Sequence, residues 1–182
     1  MKTAAIASIM AGLAVMGLAA CNREPAPAPA EAPAEAWVGK EVVLYLPDGI
    51  MKERVAVSDL APYLRAAGSE AAAAAKAQAT QPGASGMLLL MVKPGQRSRA
   101  WIVTGEPAMK PEVAEAVIRR VEAVPAPSVR EGPILVGLQF DAWGGGAAPG
   151  GAMAPIPRDW YAHFPKDGGA LDDALLAKVW PE

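Results

Sequence analysis

The chain has 182 residues, with 17 Lys and Arg against 19 Asp and Glu and a formal net charge of −2. This length suits one domain, and the slight acidity argues against a nucleic-acid partner, which would need a clustered basic face. With Cys21 as the only cysteine and His163 as the only histidine, the sequence predicts no disulfide, no metal site and no bound cofactor.

Residues 1–20 have the composition of an export signal that is removed from the mature protein. After Lys2, the run from Ala4 to Ala20 contains apolar and small residues and no further charge. A membrane-spanning helix needs about 20 strongly apolar residues, whereas this run is shorter and is diluted by Ser8, Gly12 and Gly17. The length and the small residues at its end favour a cleaved signal peptide.

The tetrapeptide Leu18-Ala19-Ala20-Cys21 closes this run and resembles the lipobox of bacterial lipoproteins. In that family the Cys sulfur receives diacylglycerol, the signal is cut just before it, and its amino group is usually acylated too. The resemblance implies that Cys21 is the lipidation site, and two or more acyl chains such as palmitate anchor a protein stably. A plain secretory signal is the alternative, although it leaves Cys21 as an exposed thiol in an oxidising compartment.

The residue after the cysteine bears on localisation within the same family. There, Asp at this position retains a lipoprotein at the inner membrane, and this chain has Asn22 instead. The resemblance therefore implies a lipid-anchored protein at the inner leaflet of the outer membrane, facing the periplasm.

Residues 21–36 are expected to be the acylated cysteine followed by a disordered tether. Pro and Ala dominate this stretch, with prolines at positions 25, 27, 29 and 33. Proline fixes φ and favours extended polyproline II at about 3.1 Å per residue, so fifteen residues reach roughly 45 Å. Folded structure is expected to begin near Trp37.

The first half of the domain is predicted to hold a hairpin and two helices. Residues 41–46 and 50–57, which contain β-branched and apolar side chains, flank Pro47-Asp48-Gly49, a pattern typical of two strands joined by a turn. Ser58-Asp59 favours a helix start and Gly68 a helix end. The alanine-rich stretch from Ser69 to Ala79 then predicts a second helix that lies on the surface, since it has little apolar bulk.

The second half begins with a continuous apolar run, Met87 to Val92, which predicts a strand covered on both faces. Further elements follow at 99–104 (strand), from Pro111 (amphipathic helix), 133–140 (strand) and 171–179 (helix). The order is ββααββαβ plus a C-terminal helix. We therefore predict an α+β fold, a mainly antiparallel sheet with helices packed on it.

Four segments follow from this reading, namely a signal peptide (1–20), an acylated Cys and tether (21–36), an α+β domain (37–143) and a C-terminal part (144–182). The last part holds a Gly-rich loop and a helical segment. We expect it to dock on the domain through its large apolar side chains, which are Trp160, Phe164, Leu175 and Trp180.

The layout of residues 86–141 resembles the C-terminal domain of TonB-type energy transducers. The shared pieces are two strands with a Gly-containing turn, a helix, a Pro-containing connector and a strand ending in an aromatic. Here they correspond to Met87–Val92, Pro94-Gly95, Ala100–Val103, Glu112–Val121, Pro125-Ala126-Pro127 and Ile134–Phe140. The resemblance implies an architecture and a mode of binding by strand addition.

Residues suited to general base catalysis cluster near the C-terminus. Asp159, Tyr161, His163 and Asp167 lie within nine residues and would supply a base with an orienting carboxylate. No nucleophile is marked, because the chain has no Gly-x-Ser-x-Gly elbow. We therefore expect His163 to be packed or solvent-facing and predict no catalytic residue.

Three further patterns have simpler structural explanations. No Lys-Ser or Lys-Thr follows the glycines of 144–151, so they favour a flexible loop over a phosphate site. A solvated helix face explains Arg119 and Arg120, with Arg130 nearby in sequence. Core packing is the expected role of four tryptophans, and an aromatic ligand groove is the alternative: Trp101, Trp143, Trp160 and Trp180.

Together the patterns predict a lipid-anchored cell-envelope protein with a small periplasm-facing binding or structural domain. Its expected partners are the membrane, through acylated Cys21, and an envelope protein. An envelope hydrolase that uses His163 and an accessory domain of a TonB-type transport system are the alternatives. An uncovered edge strand or a large apolar patch would favour partner binding, whereas His163 held against a carboxylate and a hydroxyl would favour the enzyme.

Overall fold

The structure is a computed structural model that describes residues 34–79, 81–150, 154–164 and 171–181. The predicted signal peptide, Cys21 and the tether up to residue 33 lie outside the described residues. No helix in the described part of the chain is long and apolar enough to cross a membrane. The described residues of 33–182 belong to one compact unit.

The chain combines one antiparallel sheet with helices in an α+β arrangement, which confirms the predicted fold class. The strands are β1 (Val38–Leu44), β2 (Ala84–Lys93), β3 (Arg97–Thr104) and β4 (Ile134–Ala142). The helices are α1 (Asp48–Arg54), α2 (Val57–Lys76), α3 (Pro111–Glu122) and α4 (Asp173–Val179), and a 3₁₀ helix covers Arg158–His163.

The four strands form one antiparallel sheet in the order β1-β4-β2-β3. Every residue of the central strand β2 is buried, as the continuous apolar run predicts. Leu88 in β2 lies opposite Leu138 in β4 and Ile102 in β3, which fixes the register across the three strands. The two inner strands, β4 and β2, therefore form the centre of the hydrophobic core.

The two faces of the sheet are covered by different parts of the chain. Side chains alternate between the faces of a strand, so Trp101 and Ile102 point in opposite directions. Trp101 packs edge to face on Trp160, with ring centroids 5.1 Å apart. The Tyr45 hydroxyl donates a hydrogen bond to the carbonyl oxygen of Pro155 at 2.5 Å. The C-terminal part thus covers one face, and α2 and α3 cover the other.

The predicted hairpin after residue 47 is wrong, because α1 occupies Asp48–Arg54 where the second strand was expected. The helix buries Met51, and Val55 just after it is also buried, four residues along. This spacing puts both side chains on one side of a helical turn. Lys52 also pairs with Asp48 one turn earlier. The turn chemistry of Pro47-Asp48-Gly49 starts a helix here instead of closing a hairpin.

The two predicted helices of residues 58–79 are one continuous helix, α2, which runs through Gly68. One face of its alanine-rich half belongs to the core, which the prediction missed, since Ala71 and Ala75 are 0% exposed, whereas Ala73 is exposed. The small side chains let α2 lie close to α3. Arg120 of α3 adds a salt bridge to Glu70 of α2 at 2.8 Å.

The C-terminal part contributes to the same core as the sheet. Trp160 and Leu176 are 1% and 0% exposed and belong to one cluster with the residues of β2. Arg54 fastens α4, because its guanidinium makes two hydrogen bonds of 2.7 Å to the Asp173 carboxylate and one to the Pro133 carbonyl. At the other end of the described chain, Ala36 and Trp37 already pack against the core.

Candidate functional site

Strand β1 forms an edge of the sheet and pairs only with β4 among the described strands. Val42 lies opposite Leu138, and Leu44 lies opposite Val136. The side chains of Val42 and Leu44 are nevertheless 55% and 44% exposed, the largest values for apolar residues within the sheet. An edge strand with free backbone groups and exposed apolar side chains is a template for pairing with another strand.

An apolar groove of about 150 Å³ runs between β1 and α2. Val42 and Leu138 form its strand side, and Leu64 and Gly68 form its helix side. Trp37 closes one end and stacks on Phe140 with a centroid distance of 3.9 Å. The groove adjoins the open edge, so a side chain carried by an added strand would have an apolar surface to contact.

A polar hollow of about 400 Å³ lies on the same edge, lined by Lys40, Glu41, Gln139 and Asp141. Lys40 pairs with Asp141 at 2.7 Å, and the Ser85 hydroxyl donates to the same carboxylate at 2.6 Å. Hydrogen bonds from Lys40 and then from Ser85 hold the pKa of Asp141 below its usual value. Glu41 makes no hydrogen bond or ion pair with any described residue.

The opposite edge of the sheet, β3, is protected by α3. The Glu122 carboxylate accepts a hydrogen bond of 2.9 Å from the Ala100 backbone N–H. A partner strand would have to displace this contact, which is one way in which proteins guard an edge against pairing. The two edges therefore differ, and β1 is the accessible one among the described strands.

His163 ends the 3₁₀ helix and is exposed to solvent. Asp159 and Tyr161 are exposed as well, and Asp167 lies outside the described residues. Tyr161 stacks on Phe164 with centroids 5.9 Å apart. Within the described part of the chain, no hydrogen bond or ion pair joins His163 to a carboxylate or a hydroxyl. The described residues thus hold no oriented base at this position.

The four tryptophans singled out in the sequence are distributed over the contact between the sheet and the C-terminal part. Trp101 and Trp160 pack on each other, Trp143 is buried, and Trp180 lies beneath Lys93 with the nitrogen 5.0 Å from its ring. Trp37 was not among the candidates, although it is the tryptophan that lines the groove beside β1. The position of Trp37 just before the predicted first strand was the sequence feature that could have identified it as a candidate.

The glycine loop is held by its own hydrogen bonds. The Gly145 N–H donates to the Ala142 carbonyl and the Gly146 N–H donates to the Ser85 hydroxyl. Gly144 and Gly145 have φ of 95° and 81°, in the left-handed region that favours glycine. Both N–H groups are already used, so they do not form an anion cradle. In the described residues no group of three His, Cys, Asp or Glu side chains is arranged to hold a metal ion.

No protein-family model, curated protein or solved structure matches the chain. Residues 86–141, for which the sequence suggested a resemblance to TonB-type domains, correspond to β2, β3, α3 and β4, and β1 lies before them. The case for function therefore rests on the residues and geometry described above.

Proposed function

We propose that this protein is a lipid-anchored component of the cell envelope whose periplasm-facing domain binds an extended segment of an envelope protein along β1. The single observation that carries the binding role is the open β1 edge with its exposed Val42 and Leu44. The lipobox ending in Cys21 supports the anchor.

Strand addition would use the backbone of β1 for affinity and its side chains for selectivity. An incoming strand satisfies free N–H and C=O groups, and alternate side chains select the sequence. Burying a Val or Leu side chain fully contributes about 1.5–3 kcal/mol, so covering the half-exposed Val42 and Leu44 contributes about 1 kcal/mol each. The apolar groove supplies further contact on the helical side.

The polar hollow favours a basic residue in the bound segment. Lys40 is neutralised by Asp141, whereas the neighbouring Glu41 carboxylate has no partner among the described residues. A Lys or Arg on the incoming strand would pair with Glu41. We therefore expect a partner segment that alternates apolar residues with polar ones and carries a positive charge.

Two alternatives remain from the sequence. Only the layout of residues 86–141 favours a TonB-type transport system as the source of the partner. An envelope hydrolase would need His163 as its base, and its exposed position without a described carboxylate partner gives that role little support. Loss of function in a folded and correctly localised His163→Gln variant would favour the hydrolase.

The binding proposal is tested by photo-crosslinking in cells. A photoreactive residue at position 42 should give a covalent adduct with an envelope protein. The same residue at position 57 is the matched control, because Val57 is 70% exposed but lies at the start of α2 outside the sheet. Leu44→Lys in the chain with the crosslinker at 42 should abolish the adduct, since a charge then lies in the pairing surface.

Adducts of equal yield from positions 42 and 57 would contradict the proposal, because they would show contact that does not depend on the edge. If the only adduct is with a second copy of the chain, the proposed envelope partner is wrong, and the strand that binds β1 comes from the chain itself.

A further inference from the structure

A second cleft, of about 520 Å³, lies at the end of β3 on the face covered by the C-terminal part. Val103, Pro155 and the buried Ile156 give it an apolar floor, and residues 147–150 form one wall. Arg158 and Tyr161 of the 3₁₀ helix line it from the other side. Its volume is within the range of about 300–1,000 Å³ usual for small-ligand sites.

Hydrogen bonds hold the walls of this cleft in place without a ligand. The Ala147 N–H donates to the Glu106 carbonyl at 2.9 Å, and the Gly105 N–H donates to the Ser85 carbonyl at 3.0 Å. A Cβ on Gly105 would come within 2.0 Å of the Ala147 carbonyl oxygen, so glycine permits this close approach. Tyr45 fixes the far wall through Pro155. A site held in this way loses little entropy on binding.

The cleft is lined by two residues of opposite charge that have no charged partner among the described residues. The Arg158 guanidinium and the Glu106 carboxylate are both exposed, and neither makes a hydrogen bond or ion pair with a described residue. Lys40 with Asp141 and Arg54 with Asp173 are paired, in contrast to these two side chains. Glu106 and Arg158 both line the cleft that has this apolar floor.

We propose that this cleft binds a short zwitterionic peptide. Its terminal carboxylate pairs with Arg158, its terminal ammonium pairs with Glu106, and its side chains pack on Val103, Ile156 and the Tyr161 ring. Charge-assisted hydrogen bonds of this kind are stronger than neutral ones. Each extended residue spans about 3.3–3.6 Å, so the number of residues sets the separation of the two charged ends.

The backbone of the walls fits the same ligand. Pro149 lacks an N–H, so this position offers an acceptor carbonyl without a donor, whereas the Pro155 carbonyl already accepts from the Tyr45 hydroxyl. This acceptor together with the Glu106 carboxylate favours an ammonium and peptide N–H groups over a ligand made only of acceptors, such as inorganic phosphate. This site is separate from the β1 edge and does not depend on strand addition.

The experiment is isothermal titration of the full chain, purified in detergent, with the tripeptide Ala-Ala-Ala. Its N-acetyl and C-amide forms are matched ligands, each of which removes one terminal charge. Each should bind about tenfold more weakly, which corresponds to about 1.4 kcal/mol. Glu106→Gln should bind Ala-Ala-Ala and its N-acetyl form equally well but still bind the C-amide form more weakly. Arg158→Gln should bind Ala-Ala-Ala and its C-amide form equally well but still bind the N-acetyl form more weakly. Glu115→Gln and Arg119→Gln on α3 are the control variants.

The three peptides binding with equal affinity, or no heat at millimolar Ala-Ala-Ala, would overturn the proposal. The proposal would also be wrong if Glu106→Gln and Arg158→Gln still bound Ala-Ala-Ala more tightly than its acetylated and amidated forms. The terminal charges of the peptide would then be recognised by other residues. The all-D tripeptide separates the sources of the ligand, because preference for it indicates cell-wall peptides and preference for the L form indicates protein-derived peptides.

Discussion

The Asp141 carboxylate couples the β1 edge to the glycine loop. It accepts hydrogen bonds from Lys40 of β1 and from Ser85, and Ser85 in turn accepts from the Gly146 N–H. One carboxylate therefore orders two regions that are far apart in the sequence. Because these bonds favour the charged form, the folded protein holds the pKa of Asp141 below the usual 3.8.

This shift predicts an acid-dependent loss of stability. A carboxyl whose pKa is lower in the folded state stabilises the protein above its unfolded value, and the contribution disappears as the pH falls through the folded value. Asp141→Asn should therefore be less stable than wild type at pH 7, with the difference closing below about pH 3.8. Urea unfolding at pH 7 and pH 3 measures it.

Asp159→Asn is the control for this experiment, because it removes an exposed carboxylate that has no partner among the described residues. It should match wild type at both values of pH. A constant gap for Asp141→Asn from pH 7 to pH 3 would contradict the assignment, since it would reflect packing and not charge.

At the scale of elements, the packing of the buried face of α2 depends on small side chains. Ala71 of α2 is 0% exposed, whereas Ala73 two residues away is exposed. Ala71→Leu inserts a bulky group into a close contact and should destabilise the fold by about 1–3 kcal/mol. Ala73→Leu makes the same chemical change on the solvent side and should stay within about 0.5 kcal/mol. Thermal or urea unfolding compares the two.

Equal effects of Ala71→Leu and Ala73→Leu would show that helix propensity, and not the packing of the buried face of α2, controls the stability of this helix.

The sequence predicted the elements whose pattern is local and strong. The amphipathic spacing of α3 and the apolar run of β2 place these elements within a few residues of their observed bounds. The prediction from sequence was wrong where tertiary contacts determine the secondary structure. In α1, for example, the burial of Met51 overrides a turn-forming sequence. Alanines carry little apolar signal, so the burial of Ala71 follows only from the tertiary packing of α2.

The candidate site was beyond sequence reasoning for a related reason. The exposure of β1 follows from the strand order, in which it joins β4 about 100 residues later and lies outside β2 and β3. Local pattern cannot predict which strand ends at the edge. Likewise Arg158 and Glu106 meet in one cleft only because the C-terminal part folds back over the sheet.

For the whole molecule, the lipobox predicts where the domain works. Cys21→Ser should abolish membrane association and block removal of the signal, because in lipoproteins cleavage follows acylation of the sulfur. Fractionation with labelled palmitate measures both effects. A cleaved and soluble Cys21→Ser protein would contradict the lipoprotein assignment and support an ordinary secretory signal.

The different protection of the two sheet edges limits how far an assembly can grow. Glu122 occupies the Ala100 N–H on β3, so among the described strands only β1 is available to receive another strand. A sheet that is extendable from one side takes up one strand and then stops. If a strand binds along β1 as proposed, we expect a stoichiometry of one, and self-association would end at a pair instead of propagating into a fibre.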